Sequence, residues 1–261
     1  MNYQTIEVQI EGHVATVWLN RPNLLNSFNE TSIAEITDAF RNLGTNDALR
    51  AIVLAARGSA FSAGADLNWM KKMSNYSMED NCADAAQLAE MLHVIYVCPK
   101  PVVAKVQGDC YGGGMGLVAA CDISISVETA NFCLSEVRLG LIPGTISPYV
   151  IKAMGGQQAR RYFLTAERFS AQEAQRIGFI HVVSTADGLD KASDAIVKSL
   201  VAASPNAVKE AKRLVRDIAG EPISDELIVD TANRIAAQRV SEEGREGVKA
   251  FLEKRKASWL D

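Results

Sequence analysis

The chain has 261 residues, 48% hydrophobic and 22% charged, the composition of a globular protein with material for a sizeable core. Its 27 basic and 31 acidic residues are mixed along the sequence and leave a net charge of -4, so no broad basic field exists to collect nucleic acid or an anionic membrane. Cys82, Cys98, Cys110, Cys121 and Cys133 are odd in number and form no CxxC pair; reduced thiols in a cytoplasmic protein are expected rather than a disulfide framework or a zinc site.

In chain order, the opening MNYQTIEVQIEG alternates like a strand and lacks the basic segment and apolar core of a secretory leader. TIEVQIEG and HVATVWLN both read as strands, close enough to form a hairpin. Residues 29–43, NETSIAEITDAFRNL, run at helical spacing behind an Asn or Thr cap, and RAIVLAA returns as a short buried strand. A helix is expected over 79–97, a strand at PVVAKVQG and, after a glycine-led helix, another at DISISV. Short apolar strands separated by helices predict an α/β fold with covered sheets. From about residue 196 helix formers dominate, in the amphipathic segments PNAVKEAKRLVRDIA, ISDELIVDTANRIAAQRV and SEEGREGVKAFLEKRK. The expected organisation is a core over 1–195 followed by a helical region over 196–261. No uncharged apolar run of about 18 residues occurs, so no membrane span is expected.

Two glycine-bearing stretches carry the chemistry. CYGGGMGLVAACD, residues 110–122, places three consecutive glycines before an apolar run. Glycine weakens a helix, so a triplet at its entrance implies that backbone must approach something closely. GSAFSAGADLNWM, residues 58–70, leaves the strand AIVLAA much as GGGMGL leaves VVAKVQG. Two strand exits can each aim an N–H at one point, and two convergent amides make an oxyanion hole, worth roughly 3 kcal/mol per donor. The dipole of a helix starting near Gly113 adds to the second of them. On spacing alone, two tight turns are the competing reading.

The motifs RPNLLNSF, AFSAGADL, CPKPVVAKVQGDCYGGG, CDISIS, FCLSEVRLGLIPG, FSAQEAQRIGFIHVV and FLEKRK, in that order, resemble the crotonase (enoyl-CoA hydratase/isomerase) superfamily over nearly the whole chain. The resemblance implies a spiral of ββα units, C-terminal helices that assemble trimers or hexamers, a coenzyme A thioester substrate, and no metal or redox cofactor. AGADLNWMKKM, LSEVRLGLIPGTISPYV and RRYFLTAERFSA look most like bacterial hydratases of branched glutaconyl-CoA esters.

Carried over by position, Ala65 and Gly113 match the two oxyanion amides, and Glu136 matches the acid/base. Leu24 and Leu25 match the segment beside the CoA adenine and pantetheine, and Phe251 and Lys254 match positions that reach an adjoining subunit's CoA site; Ala63, Asp66, Leu67, Trp69, Tyr111, Gly112 and Arg138 are further candidate substrate contacts. Read for themselves, Asp66 and Asp122 are better taken as carboxylates bonding local backbone. Trp69, Met70 and Met73 suit either an acyl tunnel or the core. Arg138, Lys71 and Lys72 are candidates to meet the second carboxylate of a glutaconyl group.

One departure matters for the reaction. Gly116 stands where well-known hydratases of the superfamily carry a first glutamate, leaving Glu136 alone. One carboxyl can move a proton between two carbons, as double-bond isomerisation requires; hydration also needs a held water, with Tyr111, Ser147, Asp109 and Glu90 as candidate helpers. TISPYV, residues 145–150, replaces a glycine-rich turn, and Ser147 before Pro148 is expected to open a helix with Pro at its first position. The activity expected is enoyl-CoA hydration, with isomerisation as the rival. A noncatalytic CoA-ester binder is the third reading, and Glu136 with both amide positions speaks against it. His13, His93 and His181 are scattered, and no GxSxG, GxxxxGK[ST] or GxGxxG spacing occurs, which disfavours triad, metal, nucleotide and dinucleotide chemistry.

Overall fold

The computed structural model describes residues 3–260. The chain opens with a hairpin of β1 (Ile6–Glu11) and β2 (Val14–Leu19), closed by Gly12 and His13, where Gly12 takes the positive φ of 55° that so short a loop demands. Along β2 every second residue is buried, Ala15, Val17 and Leu19, because successive side chains face opposite sides of a sheet. The helix α1 (Glu30–Gly44) follows, with Asn29 at its N-cap accepting from the Ser32 amide at 3.1 Å.

The chain then repeats one unit: a longer strand, a short strand, and helix. First come β3 (Ala51–Ala56) and β4 (Ala60–Ser62), then α2 (Leu67–Met73) and α3 (Met78–Val97). Next are β5 (Val102–Val106), β6 (Asp109–Tyr111) and α4 (Gly113–Ala120). The third unit is β7 (Ile123–Val127), β8 (Asn131–Cys133) and α5 (Ser147–Thr165). The longer strands, with the three-residue β10 at one edge, form a six-stranded sheet in the order β1-β2-β3-β5-β7-β10, parallel from β2 onward, and the remaining short strands form a second sheet, β4-β6-β8-β9. Here β9 is Phe169–Ser170, antiparallel to β8, and β10 is Val182–Ser184, with α6 (Ala171–Arg176) between them. Because each unit climbs by one strand in both sheets, the chain winds as a ββα spiral. All six residues of β3 are buried, as expected of a parallel strand covered on both faces.

The exits of β4, β6 and β8, which run parallel to one another, lie at the same end of the second sheet, so the loops after these strands are neighbours. That is the positional consequence of the spiral. The helix at TISPYV begins at Ser147, one residue earlier than expected, so Pro148 is its second residue, where a missing N–H is still harmless.

The C-terminal part comprises α7 (Leu189–Ala202), α8 (Pro205–Ile218), α9 (Asp225–Val240) and α10 (Glu242–Leu252). Lys212 ties α8 to the core by donating to Asp122 at 2.7 Å and to the Lys100 carbonyl at 3.1 Å. Yet α8 and α9 bury no residue, α10 buries only Ala250, and Ile223, Phe251 and Leu252 stand 73–87% exposed. Among the described residues no helix is long and apolar enough to cross a membrane.

Candidate active site

The site is assembled from three loops that staple to one another. Residues 22–24 form a short 3-10 turn, after which Leu25 and Asn26 both take positive φ, 51° and 52°. The buried Asn26 side chain holds this bend: Oδ1 accepts from the Arg21 amide at 2.9 Å, and Nδ2 donates to the carbonyls of Arg57 and Ala60. The loop then meets the exit of β4, with the Ala63 amide donating to the Leu25 carbonyl at 2.9 Å. Leu24 and Leu25 leave their side chains about half exposed at the mouth, and Leu67 is more exposed still.

Phe28 pairs with Ala65 in a single parallel bridge: its amide donates to the Gly64 carbonyl at 2.9 Å, and its carbonyl accepts from the Asp66 amide at 3.0 Å. In such a bridge the residue between the two bonded neighbours turns its own N–H the other way. The Ala65 N–H therefore points away from Phe28, and among the described residues it donates to nothing. The Gly113 N–H, at the first residue of α4, is equally free, since a helix leaves its first amides without partners.

These two donors belong to loops pressed back to back. A Cβ on Gly64, whose φ is 86°, would lie 3.1 Å from the Tyr111 carbonyl oxygen and 3.5 Å from the Gly113 nitrogen. A Cβ on Gly113 would lie 2.3 Å from Cζ of Phe28, and one on Gly114 2.8 Å from Cβ of Ser62. The glycine triplet thus lets α4 seat its N-terminus directly on the loop after β4.

Glu136 opens a 3-10 turn, Glu136–Leu139, after β8. The Gly112 amide donates to the Cys133 carbonyl at 2.8 Å, which sets this turn beside α4, and a Cβ on Gly112 would lie 3.3 Å from Oε1 of Glu136. Oε2 is buried without a hydrogen-bond partner. Burial raises the carboxyl's pKa above the ordinary glutamate value, against a smaller opposing pull from its own backbone amide. A partly desolvated carboxyl at the positive end of a helix, beside two unused amides, is equipped to take and give a proton next to an anion.

Other expected contacts fall elsewhere. Trp69 lies in the core rather than at the substrate: it is 3% exposed, its ring packs against Phe28 with centroids 6.1 Å apart, and Nε1 donates to Asp84 at 3.0 Å. Asp66 is a structural carboxylate. Burial alone would raise its pKa, but Arg21 at 2.7 Å and the amides of Asn68 and Trp69, which it caps, hold it below the usual value. Asp122 is likewise engaged, by Lys212 and the Val102 amide. Asp109 accepts from the Tyr111 hydroxyl and from the amide and side chain of Asn131, so the Tyr111 proton is committed to Asp109. Glu90 faces outward in an ion pair with Arg41, and the Ser147 hydroxyl donates to the Gly144 carbonyl. Lys72 pairs with Glu30, whereas Arg138 and Lys71 are exposed. Phe251 and Lys254 lie at the end of α10, on the outer surface of this chain.

Two positions that the motifs did not single out shape the cleft. Phe28 backs both the Ala65 bridge and Gly113. Ile146, 2% exposed, fills the volume beside Gly116, where a Cβ would lie 2.3 Å from its Cγ2 and 3.5 Å from Cδ2 of Leu92.

The fold recurs in known proteins. The family model described as enoyl-CoA hydratase/isomerase matches residues 9–261. An Alternaria alternata protein named enoyl-CoA hydratase AKT6-1 is 32% identical over 211 residues, covering 80% of this chain and 69% of that protein. The crystal structure of an enoyl-CoA hydratase from Shewanella pealeana superposes with a TM-score of 0.95 at 42% identity, covering 98% of this chain and 96% of that one. That of Pseudomonas aeruginosa AtuE gives 0.94 at 30% identity, covering 99% and 100%. A ββα spiral, two unused amides on adjoining loops and a buried carboxyl beside them agree with these likenesses: the chain belongs to the enoyl-CoA hydratase/isomerase family.

Proposed function

We propose that the protein is an enoyl-CoA hydratase acting on a compact, branched acyl-CoA of the glutaconyl type. The observation that carries this reading is the unpartnered Glu136 carboxyl against Gly112, next to the free amides of Ala65 and Gly113. The thioester oxygen sits between the two amides and gains negative charge as water adds to the β-carbon of the conjugated double bond. Glu136 takes a proton from that water and delivers a proton to the α-carbon, so H and OH are added and the carboxylate is regenerated. Phe28 and Gly113 fix the depth of the thioester; Leu24, Leu25 and Leu67 offer apolar surface to the CoA arm. Arg138, two residues past Glu136 and in no ion pair among the described residues, is the partner for a second substrate carboxylate.

The bare apolar faces of α9 and α10 support assembly into trimers, or hexamers built from them, in which Phe251 and Lys254 reach a neighbouring subunit's CoA site. Five unpaired cysteines fit a reducing cytoplasmic setting.

Isomerisation is the second reading, and the closed space at Gly116 favours it, because one carboxyl suffices to shuttle a proton between two carbons. Purified protein supplied separately with 2-enoyl-, 3-enoyl- and 3-methylglutaconyl-CoA decides between them by product mass. Gain of one water from the glutaconyl ester supports the hydratase; a mass-neutral shift of the 3-enoyl ester, with no hydration of any substrate, replaces it with the isomerase.

A further inference from the structure

Between the core and the C-terminal helices lies a partly open cavity of about 510 Å³, lined by residues of α3, α4 and α5 together with β7, residues 178–181, α7 and α8. Gly116 stands on α4 one helical turn beyond Gly112 and Gly113, on the face that begins at the site, since residues three and four apart share a face. At that level Leu92 of α3 and Ile146, the residue that precedes α5, close over it, both essentially buried. One turn further on, the same helices present Tyr96, Ala119 and Tyr149 to the cavity, the two tyrosine rings meeting edge to face at 5.4 Å, and α8 lines the far side through Val208, Lys212 and Val215, where Val215 is 64% exposed and the cavity opens to solvent. Leu92, Gly116 and Ile146 therefore form a buried layer one turn nearer the site than the residues that line the cavity, with Ile146 packed over a residue that has no side chain.

We propose that Ile146 is the partition that ends the acyl pocket, and that its removal joins the pocket to the rear cavity and lengthens the acyl chain the protein accepts. This rests on the acyl-CoA reading above. A thioester held at Ala65 and Gly113, with its α-carbon at Glu136, extends its acyl group along the α4 face toward Gly116, where Ile146 stops it. The cavity beyond is of the size that holds small ligands; Tyr96, Ala119 and Tyr149 give it an apolar wall on the side of the site, while Asp122, Lys152, His181, Lys212 and Arg216 line it elsewhere. Each methylene newly buried favours binding by about fourfold.

The test compares kcat/KM for 2-dodecenoyl-CoA and crotonyl-CoA in the wild type, in Ile146→Ala, in Ala119→Phe and in the double variant. The dodecenoyl-to-crotonyl ratio is expected to rise at least about tenfold in Ile146→Ala. It is expected to stay at the wild-type value in Ala119→Phe, and to fall back in the double variant, where the ring refills the cavity. If Ile146→Ala does not fold, Leu92→Ala opens the same layer from α3 and is held to the same expectation. A ratio unchanged in a folded variant, by circular dichroism melt, overturns the partition, as does a gain that Ala119→Phe leaves intact. Calorimetric titration with unreactive dodecanoyl-CoA reads the same length dependence without turnover. Inactivity of the wild type on every enoyl ester, with tighter dodecanoyl-CoA binding in Ile146→Ala, sinks the reaction and keeps the partition.

Discussion

Gly64 and Gly113 stand back to back: a methyl on the first would come within 3.5 Å of the nitrogen of the second. Residues on separate strand exits are thereby locked so that two amides with no protein partner adjoin. Gly64→Ala forces a side chain onto a φ of 86° and onto the Tyr111 carbonyl at 3.1 Å, so the pair is expected to splay. Steady-state kinetics should show kcat reduced by about 10² to 10³, the usual effect of losing one oxyanion donor, with KM changed far less. A KM effect alone would assign Gly64 to binding.

Glu136→Gln removes the proton carrier while keeping its shape. Turnover is expected to fall by about 10² to 10⁴, the span of general acid–base catalysis, with acyl-CoA binding retained by calorimetry. Stability moves the other way. A carboxyl whose pKa is raised by burial binds its proton more tightly when folded, so stability from this group is lost as pH climbs from the unfolded value through the folded one. Glutamine escapes that loss, and the variant should melt no lower than the wild type at neutral pH.

The same raised pKa predicts the pH profile. Glu136 must be ionised to accept a proton from water, so kcat/KM should rise with pH through a midpoint above the ordinary glutamate value of 4.5. A midpoint at or below that value would show the carboxyl to be solvated.

Arg21 and Asp66 hold the first loop to α2 in a nearly closed ion pair, with side chains only 17% and 6% exposed. Arg21→Ala strands the buried carboxylate, at a cost of about 3 kcal/mol measurable by urea unfolding. Because the Asp66 pKa is lowered in the fold, its contribution is present above the unfolded pKa and fades as pH falls through the folded one. The difference between wild type and Arg21→Ala should therefore narrow in acid.

The elements legible in the sequence were the longer strands and helices: the β1–β2 hairpin, β3, β5, β7, α1, α3, the glycine-led α4 and the amphipathic α8 to α10. The strands of two or three residues, β4, β6, β8, β9 and β10, are too short to show a period and exist only through pairing with distant segments. At the site, glycines were readable because a missing side chain states a backbone requirement. Trp69 was not, since an apolar residue next to a motif carries no sign of the direction it faces; its indole turned to Phe28 and Asp84. The Ile146 and Gly116 contact was also hidden, because a packing relation between distant residues leaves no trace in either segment alone.

The central claim is that two main-chain amides and one carboxyl together form an enolate from a thioester, whichever product follows. Butyryl-CoA, which has no double bond to hydrate or shift, isolates that step: in deuterium oxide the α-hydrogen exchanges only if a base removes it while the oxygen is stabilised. Mass spectrometry should find deuterium entering at the α-carbon with the wild-type protein and at most background exchange with Glu136→Gln. Absence of exchange in the wild type, or exchange that survives Glu136→Gln, would contradict the account.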